Sequence, residues 1–330
     1  MNYKLFGTHT GLYASELILG GSMFGTRKGY GASPDDAKRI LAAYTDAGGN
    51  LIDISDQYQL GEAEEIVGDF TKHKRNNFII CTKYTRSSEA TPSVSNSGNH
   101  RKAMRQAVEL SLKRLKTDYI DIYMPHFDDG ITPAEEIIRG MEDLVHSGKV
   151  LYTGLTNFPA WKAAVIASSI QLATIQIEYN LLQRTADREL IAMAAHFGLG
   201  TMMYSPLAGG LLTGKYRKGE TGRMNLITTA DQHENATTKT IIDHLLLIAA
   251  ELDVTPGQVA LAWVLQKGAF PIVGARTLAH LEDSLKATAI SLSTEHINDL
   301  NRLSAVSLGY PHEVLATVQK SAPVANHQNS

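Results

Sequence analysis

Residues 33–54 read SPDDAKRILAAYTDAGGNLIDI, and this stretch holds one complete helix-to-strand unit. Ser33 can accept a hydrogen bond from a free N–H of the first helical turn, and Pro34 at the first helical position has no N–H to leave unpaired. Ile40, Leu41 and Tyr44 recur at helical spacing, which predicts a helix with one apolar face running to about residue 47. Gly48-Gly49 ends it, and residues 51–54 form a short apolar run of the kind buried on both faces of a sheet.

The same unit recurs downstream. Helices are predicted near 62–72, 100–116, 133–147, 159–169 and 186–197, each followed by a strand, at 78–82, 119–124, 150–155, 174–179 and 201–204. A last strand at 270–273 precedes a helix over 277–289. Upstream, residues 3–6 and 15–19 read as a hairpin about a turn at Gly7–Gly11, with 16–19 counted as the first strand of the series. Strands alternating with helices imply parallel pairing through right-handed crossovers. Eight such units in one chain of 330 residues predict a single domain, a (β/α)8 TIM barrel with an N-terminal β-hairpin. An open doubly wound sheet is the alternative that the same alternation allows. One stretch breaks the rhythm. Residues 208–236 are rich in Gly, Thr and polar groups and are expected to cover a ligand. Two extra helices are predicted at 238–252 and 256–267. After a helix at 294–304, the chain from about 317 is expected to be a flexible tail.

Composition narrows the function. A net charge of −3 offers no basic surface for nucleic acid or anionic membrane. The opening residues lack the apolar stretch of a signal peptide, so a cytoplasmic location is expected. Cys81 is the only cysteine, in the apolar run Phe78-Ile79-Ile80-Cys81, and reads as an inert buried thiol. The His residues are scattered, and no metal-ligand spacing appears. Asn235-Ala236-Thr237 matches a glycosylation sequon, which carries no weight without a secretory signal.

In such barrels reacting groups gather where strands end. Asp53 ends the second strand with Tyr58 just beyond it, Lys83 ends the third, and His126 ends the fourth. An acid, a phenol, an amine and an imidazole are thus expected at one rim. Reducing a carbonyl needs a proton for the developing alkoxide. A phenol can supply it, but its ordinary pKa of about 10 makes the transfer hard near neutrality. A lysine ammonium about 4 Å away interacts with the phenolate by roughly 4 kcal/mol at an effective dielectric of 20. Asp53 would keep Lys83 charged, and His126 would orient the carbonyl. Met23, Phe24, Tyr30, Tyr84, Phe127 and Phe158 fall near strand ends. Of these, Phe24, Tyr84 and Phe127 are the candidate walls of a substrate pocket.

With these residues the chain resembles the aldo-keto reductase superfamily over nearly its whole length, and looks closest to its bacterial and potassium-channel β-subunit-like branch. Asp53, Tyr58, Lys83 and His126 match the family's catalytic tetrad in order and context. Gly154-Leu155-Thr156-Asn157-Phe158, Gln176-Ile177-Glu178-Tyr179-Asn180, Tyr204-Ser205-Pro206-Leu207 and Gly274-Ala275-Arg276 add to the match. The resemblance implies NADP(H), preferred over NAD(H), bound without a dinucleotide fingerprint, and no G-x-G-x-x-G follows a strand here. It implies that Thr156, Asn157 and Gln176 hold the nicotinamide carboxamide and that Tyr204 stacks on its ring. By the same resemblance, Ser205, Pro206, Leu207, Gly209 and Lys215 line the pyrophosphate. Gly274 and Arg276 meet the 2′-phosphate, and His280, Asp283 and Ser284 surround the adenosine. His280, Asp283 and Ser284 depart from the family's commoner residues, and Gln59 stands where Gly commonly follows the catalytic Tyr.

The expected substrate is a small carbonyl compound, or the matching alcohol or sugar, with no nucleic-acid or membrane partner; a homo-oligomer is left open. A regulatory protein that senses bound NADP(H) is the alternative in another class. A third reading is a Schiff-base aldolase built on Lys83, which would need a neutral amine. Residues 209–216 approach a P-loop, but Tyr216 stands where Mg²⁺ binding needs Ser or Thr.

Overall fold

The computed structural model describes residues 1–222 and 234–321, the last three by backbone alone. Two strands, β1 (Tyr3–Leu5) and β2 (Tyr13–Ser15), form an antiparallel hairpin. Eight more follow: β3 (Ile18–Gly20), β4 (Leu51–Asp53), β5 (Ile79–Tyr84), β6 (Ile120–Pro125), β7 (Val150–Thr156), β8 (Thr174–Glu178), β9 (Gly200–Tyr204) and β10 (Phe270–Gly274). All eight pair in parallel with their neighbours, and β10 returns to β3 to close the ring. This is the TIM barrel that the alternation predicted.

Strand alternation sorts the side chains into two layers. Ile79 and Cys81 of β5 face inward with Ile18, Leu51, Ile122, Met124, Met202 and Ile272, so the barrel is filled rather than hollow. The hairpin plugs its N-terminal end. Phe6 is fully buried, its ring 5.0 Å from that of Phe270 at the start of β10. Ile52, Ile80 and Ile175 belong to the outer layer, packed beneath the helices. Gly154 permits one close approach, since a Cβ there would stand 2.6 Å from Thr174 Cγ2 on β8.

The helices are α1 (Pro34–Asp46), α2 (Glu62–Thr71), α3 (Arg101–Leu115), α4 (Ala134–His146), α5 (Ala160–Ser169) and α6 (Leu190–His196), then α7 (Ala236–Glu251), α8 (Pro256–Gln266), α9 (Leu278–Lys286), α10 (Thr294–Leu303) and α11 (His312–Ser321). Ser33 caps α1 by accepting from Asp36 N–H at 3.2 Å. Ile40, Leu41 and Tyr44 are fully buried, each worth roughly 1.5–3 kcal/mol of apolar transfer. The Tyr44 hydroxyl bonds Leu17 and Leu51 carbonyls at 2.8 Å, tying α1 to the barrel floor.

Four boundaries differ from expectation. The run 15–19 is not one strand: Ser15 pairs antiparallel with Tyr3, whereas Ile18 pairs parallel with Ile272, so the chain must turn between them. The helix expected over 186–197 is shortened, because Asp187 is held by the Tyr179 hydroxyl and Arg184 in a 3₁₀ turn, Thr185–Arg188. In the irregular stretch, Ala208–Thr213 and Lys215–Lys218 are 3₁₀ turns, and α7 begins at Ala236. Asn235, the sequon residue, caps that helix by accepting from Thr238 N–H at 2.8 Å. Residues 223–233 of the expected covering loop lie outside the described residues. Finally, α11 runs into the expected tail. Pro311 sets the backbone ahead of a segment without Gly or Pro, which favours helix. Residues 322–330 lie outside the described part.

Candidate active site

Three neighbouring strands deliver the titratable groups. Asp53 ends β4, Lys83 is the last inward-facing residue of β5, and His126 follows β6. Lys83 Nζ lies 2.7 Å from Asp53 Oδ1 and donates to the Ile54 carbonyl at 2.8 Å, with the lysine wholly enclosed. Burial by itself would lower the lysine pKa. The adjoining Asp53 carboxylate, aided by Tyr58, outweighs it and holds Lys83 above its ordinary range. The amine therefore stays charged, which removes the neutral lysine a Schiff-base aldolase needs.

Tyr58 opens the turn after β4. Its ring centre is 5.3 Å from Lys83 Nζ, and the ring meets that of His126 edge-on, 5.6 Å away at 74°. The backbone behind it is unusual. Gln59, Leu60 and Gly61 are consecutively left-handed, at φ 50°, 56° and 88°. Gln59 occupies a site suited to glycine, and its buried side chain accepts the Lys28 N–H at 2.8 Å. That bond ties the turn to the loop after β3.

His126 is buried, and its imidazole is pushed down to about 2, first by burial and then by the charges of Lys83 and Arg86. It is neutral throughout the working range. Its Nδ1 lies 3.1 Å from Ser55 Oγ and 3.3 Å from Gln57 Nε2. Sequence reasoning missed Ser55 and Gln57 as neighbours of the imidazole, and Asp56 as the carboxyl group next to Ser55. The only signal was their place between Asp53 and Tyr58.

The three candidate pocket walls separate. Phe127 stacks on His126, 4.5 Å between centres at 16°, and the Arg86 guanidinium lies 4.5 Å from the centre of its ring. Tyr84 and Phe24 are instead core residues. With Lys83 facing inward, its neighbour Tyr84 must face outward, where it stacks on Tyr123 at 5.2 Å. Phe24 is fully buried in the same outer layer. Phe158 is buried near the Lys162 ammonium, and Tyr30 is exposed.

Beside the charged pair lies a polar cluster. Gln176 donates from Nε2 to Asp53 Oδ1 at 2.9 Å. Asn157, left-handed at φ 56°, donates to the His126 carbonyl at 3.0 Å and accepts from the Tyr204 hydroxyl at 2.8 Å. Burial, with Glu178 and Tyr58, raises the Tyr204 phenol to about 12, so it remains a donor. Thr156 is buried and donates to the Gln176 carbonyl at 3.0 Å, so its hydroxyl orders that strand end. The Ser205 carbonyl accepts from Asn180 Nδ2 at 3.0 Å, Pro206 is buried, and Leu207 packs at the edge of the core. The Gly209 carbonyl accepts from the Tyr216 hydroxyl at 2.9 Å.

Farther along the rim, Lys215, Arg276 and His280 approach one another from three segments. Lys215 is held below its ordinary range by burial and then by Arg276; His280 is held down by burial, Lys215 and Arg276. The two cations, Lys215 and Arg276, repel each other and gain when an anion sits between them, so this corner fits a phosphate. Gly274 adds open space, with nothing within 4 Å of where a Cβ would stand. Asp283 and Ser284 point elsewhere: Asp283 Oδ1 accepts from Gln258 Nε2 at 2.7 Å, and Ser284 donates to the His280 carbonyl at 2.9 Å. Among the described residues, no group of three or more His, Cys, Asp or Glu could hold a metal ion.

Comparison with known proteins agrees with this geometry. A family model described as the aldo/keto reductase family matches residues 16–305. An uncharacterized oxidoreductase of Bacillus subtilis is 36% identical over 91% of this chain and 95% of its own length. An NADP(+) aryl-alcohol dehydrogenase of Phanerodontia chrysosporium is 32% identical over 92% of this chain and 86% of its own. Norsolorinic acid reductase B of Dothistroma septosporum is 31% identical over 96% and 85%.

Proposed function

This chain belongs to the aldo/keto reductase family and is an oxidoreductase of small carbonyl or alcohol compounds, and from that premise we propose an NADP(H)-dependent enzyme that interconverts aromatic aldehydes or ketones and their alcohols, with Tyr58 as general acid and base. The observation that carries the reading is the buried Asp53–Lys83 pair beneath the Tyr58 ring, facing His126. The aromatic substrate class is drawn from the similarity to the NADP(+) aryl-alcohol dehydrogenase.

When bound, the nicotinamide supplies a hydride to the carbonyl carbon or takes one from the alcohol. The residues suited to hold it are Asn157, Gln176 and Tyr204 at the ring end and Lys215 and Arg276 at the phosphate end. The protein's part is proton handling and orientation. Lys83, kept charged by Asp53, favours the phenolate of Tyr58 and so eases release of its proton to a developing alkoxide. Neutral His126 can hydrogen-bond the same oxygen without competing as an acid. Phe127, stacked on His126, adds apolar surface beside the imidazole, which suits an aromatic substrate.

The test is NADPH oxidation with a panel of benzaldehydes, repeated with Tyr58→Phe. The wild type should turn over, and the variant should fall on the order of 10²–10⁴-fold while its NADPH affinity holds, as expected for a lost proton donor. A variant that keeps more than roughly a tenth of wild-type turnover would sink the assignment.

A further inference from the structure

His126 rests against a buried polar line that proton transfer at Tyr58 does not use. Ser55 is fully buried, and its Oγ stands 3.1 Å from His126 Nδ1 and 3.2 Å from Asp56 Oδ1. The Lys83 carbonyl is a more distant acceptor for the same hydroxyl, at 3.5 Å. Asp56 is itself 2% exposed, yet it lines a cavity of about 1140 Å³ that also borders Ser88, Met104 and Arg105. One hydroxyl thus bridges an imidazole nitrogen and the carboxyl group of a residue that borders a cavity.

We propose that Ser55 and Asp56 choose the tautomer of His126. With a proton on Asp56, its O–H donates to Ser55 Oγ and the Ser55 O–H donates to Nδ1. Nε2 then carries the hydrogen, suited to a carbonyl oxygen. With Asp56 ionised, the Ser55 hydroxyl turns to the carboxylate and Nδ1–H donates to Ser55. Nε2 is left as an acceptor, suited to an alcohol O–H. The two states differ by one proton. Passing between them moves the Asp56 proton to Ser55 and the Ser55 proton to Nδ1, as the Nε2 proton leaves.

Four groups around Asp56 decide where the change falls. Glu64 of α2 faces it as a like charge, Arg114 of α3 as an opposite one, and the buried Tyr123 hydroxyl of β6 lies nearby without a partner. The Lys83 carbonyl of β5 accepts the Asp56 N–H at 3.1 Å. Burial first, and then Glu64, raise the carboxyl to about 7 against Arg114 and the Ser55 bond. Since His126 is itself held to about 2, its tautomer changes and its charge does not. The Gln57 Nε2 amide, 3.3 Å from Nδ1, adds a donor that favours the low-pH state.

The functional consequence rests on the reading that His126 meets the reacting oxygen, but the switch can be measured without turnover. In ¹⁵N-labelled full-length protein, the His126 ring nitrogens are assigned by their loss in His126→Gln and followed from pH 5.5 to 8.5. The hydrogen should move from Nε2 to Nδ1 with a midpoint near 7, the value at which Asp56 is held. Ser55→Ala and Asp56→Asn should each abolish the transition. A single tautomer across the range in the wild type overturns the proposal, and so does an unaltered transition in either variant. A normal titration in a protein that fails to oxidise NADPH would remove the reductase reading and leave the switch standing.

Discussion

Arg276 follows the end of β10 and makes no ion pair with a carboxylate among the described residues, although Lys215 and His280 lie close to it. A guanidinium beside the Lys215 ammonium, with no carboxylate ion pair of its own among the described residues, is arranged for an anion from outside the chain. A 2′-phosphate suits its planar fork, since two parallel N–H···O bonds form at once. Arg276→Ala should therefore weaken NADPH binding by about 1.5–3 kcal/mol, the worth of a charged hydrogen bond, and leave NADH nearly unchanged. Titrating both cofactors against the variant by fluorescence checks this. Equal losses would mean that the arginine orders the protein and does not select the phosphate. Arg276 was readable in the sequence because it directly follows a recognisable strand. Its company was not, because Lys215 and His280 lie on segments whose approach depends on how β9 and β10 pair.

At the scale of elements, the turns Ala208–Thr213 and Lys215–Lys218 stand apart from the rest of the rim. Gly209, Gly210, Gly214 and Gly219 are all left-handed, and Ala208 joins them at φ 49°. Backbone of that kind is held by short local bonds, such as Tyr216 hydroxyl to the Gly209 carbonyl, rather than by a ladder. Lys215 sits in its middle. Saturating NADP⁺ should slow amide exchange across 208–222 by at least roughly tenfold, the effect of about 1.4 kcal/mol of added local stability. Exchange that does not respond would remove these turns from the cofactor site. Most other elements were legible, because caps and apolar spacing are local. The broken helix at Thr185–Arg188 was not, since it depends on Arg184 and Tyr179 capturing Asp187.

For the whole molecule, the buried Asp56 carboxyl couples stability to pH. Its folded pKa, about 7, exceeds the ordinary 3.8, so the folded state binds this proton more tightly than the unfolded chain does. The group costs nothing below about pH 4 and progressively more up to pH 7, after which the cost is constant. Asp56→Asn removes that dependence. Its stability relative to wild type should be level below about pH 4, rise through pH 4–7 and level again above. The gain is on the order of a few kcal/mol, at about 1.4 kcal/mol for each tenfold change in proton affinity. Denaturant unfolding of both proteins at pH 4, 6 and 8 decides it. A constant difference at all three would show that Asp56 titrates normally in the fold.

Read alone, the chain determined the alternation of strands and helices, and hence the barrel, because Ser33, Pro34, Gly48 and the spacing of Ile40, Leu41 and Tyr44 act within one or two turns of themselves. It also pointed to Asp53, Lys83 and His126, since a strand's last residues need only the strand to be recognised. Tertiary structure decided the rest. Ring closure fixed which face each strand turns inward, and so sent Tyr84 into the outer core while Phe127 stayed beside His126. It also set Ser55 against an imidazole 71 residues away. Such contacts depend on the register of β4, β5 and β6 within a closed sheet, and no local pattern encodes a register that only the whole ring enforces.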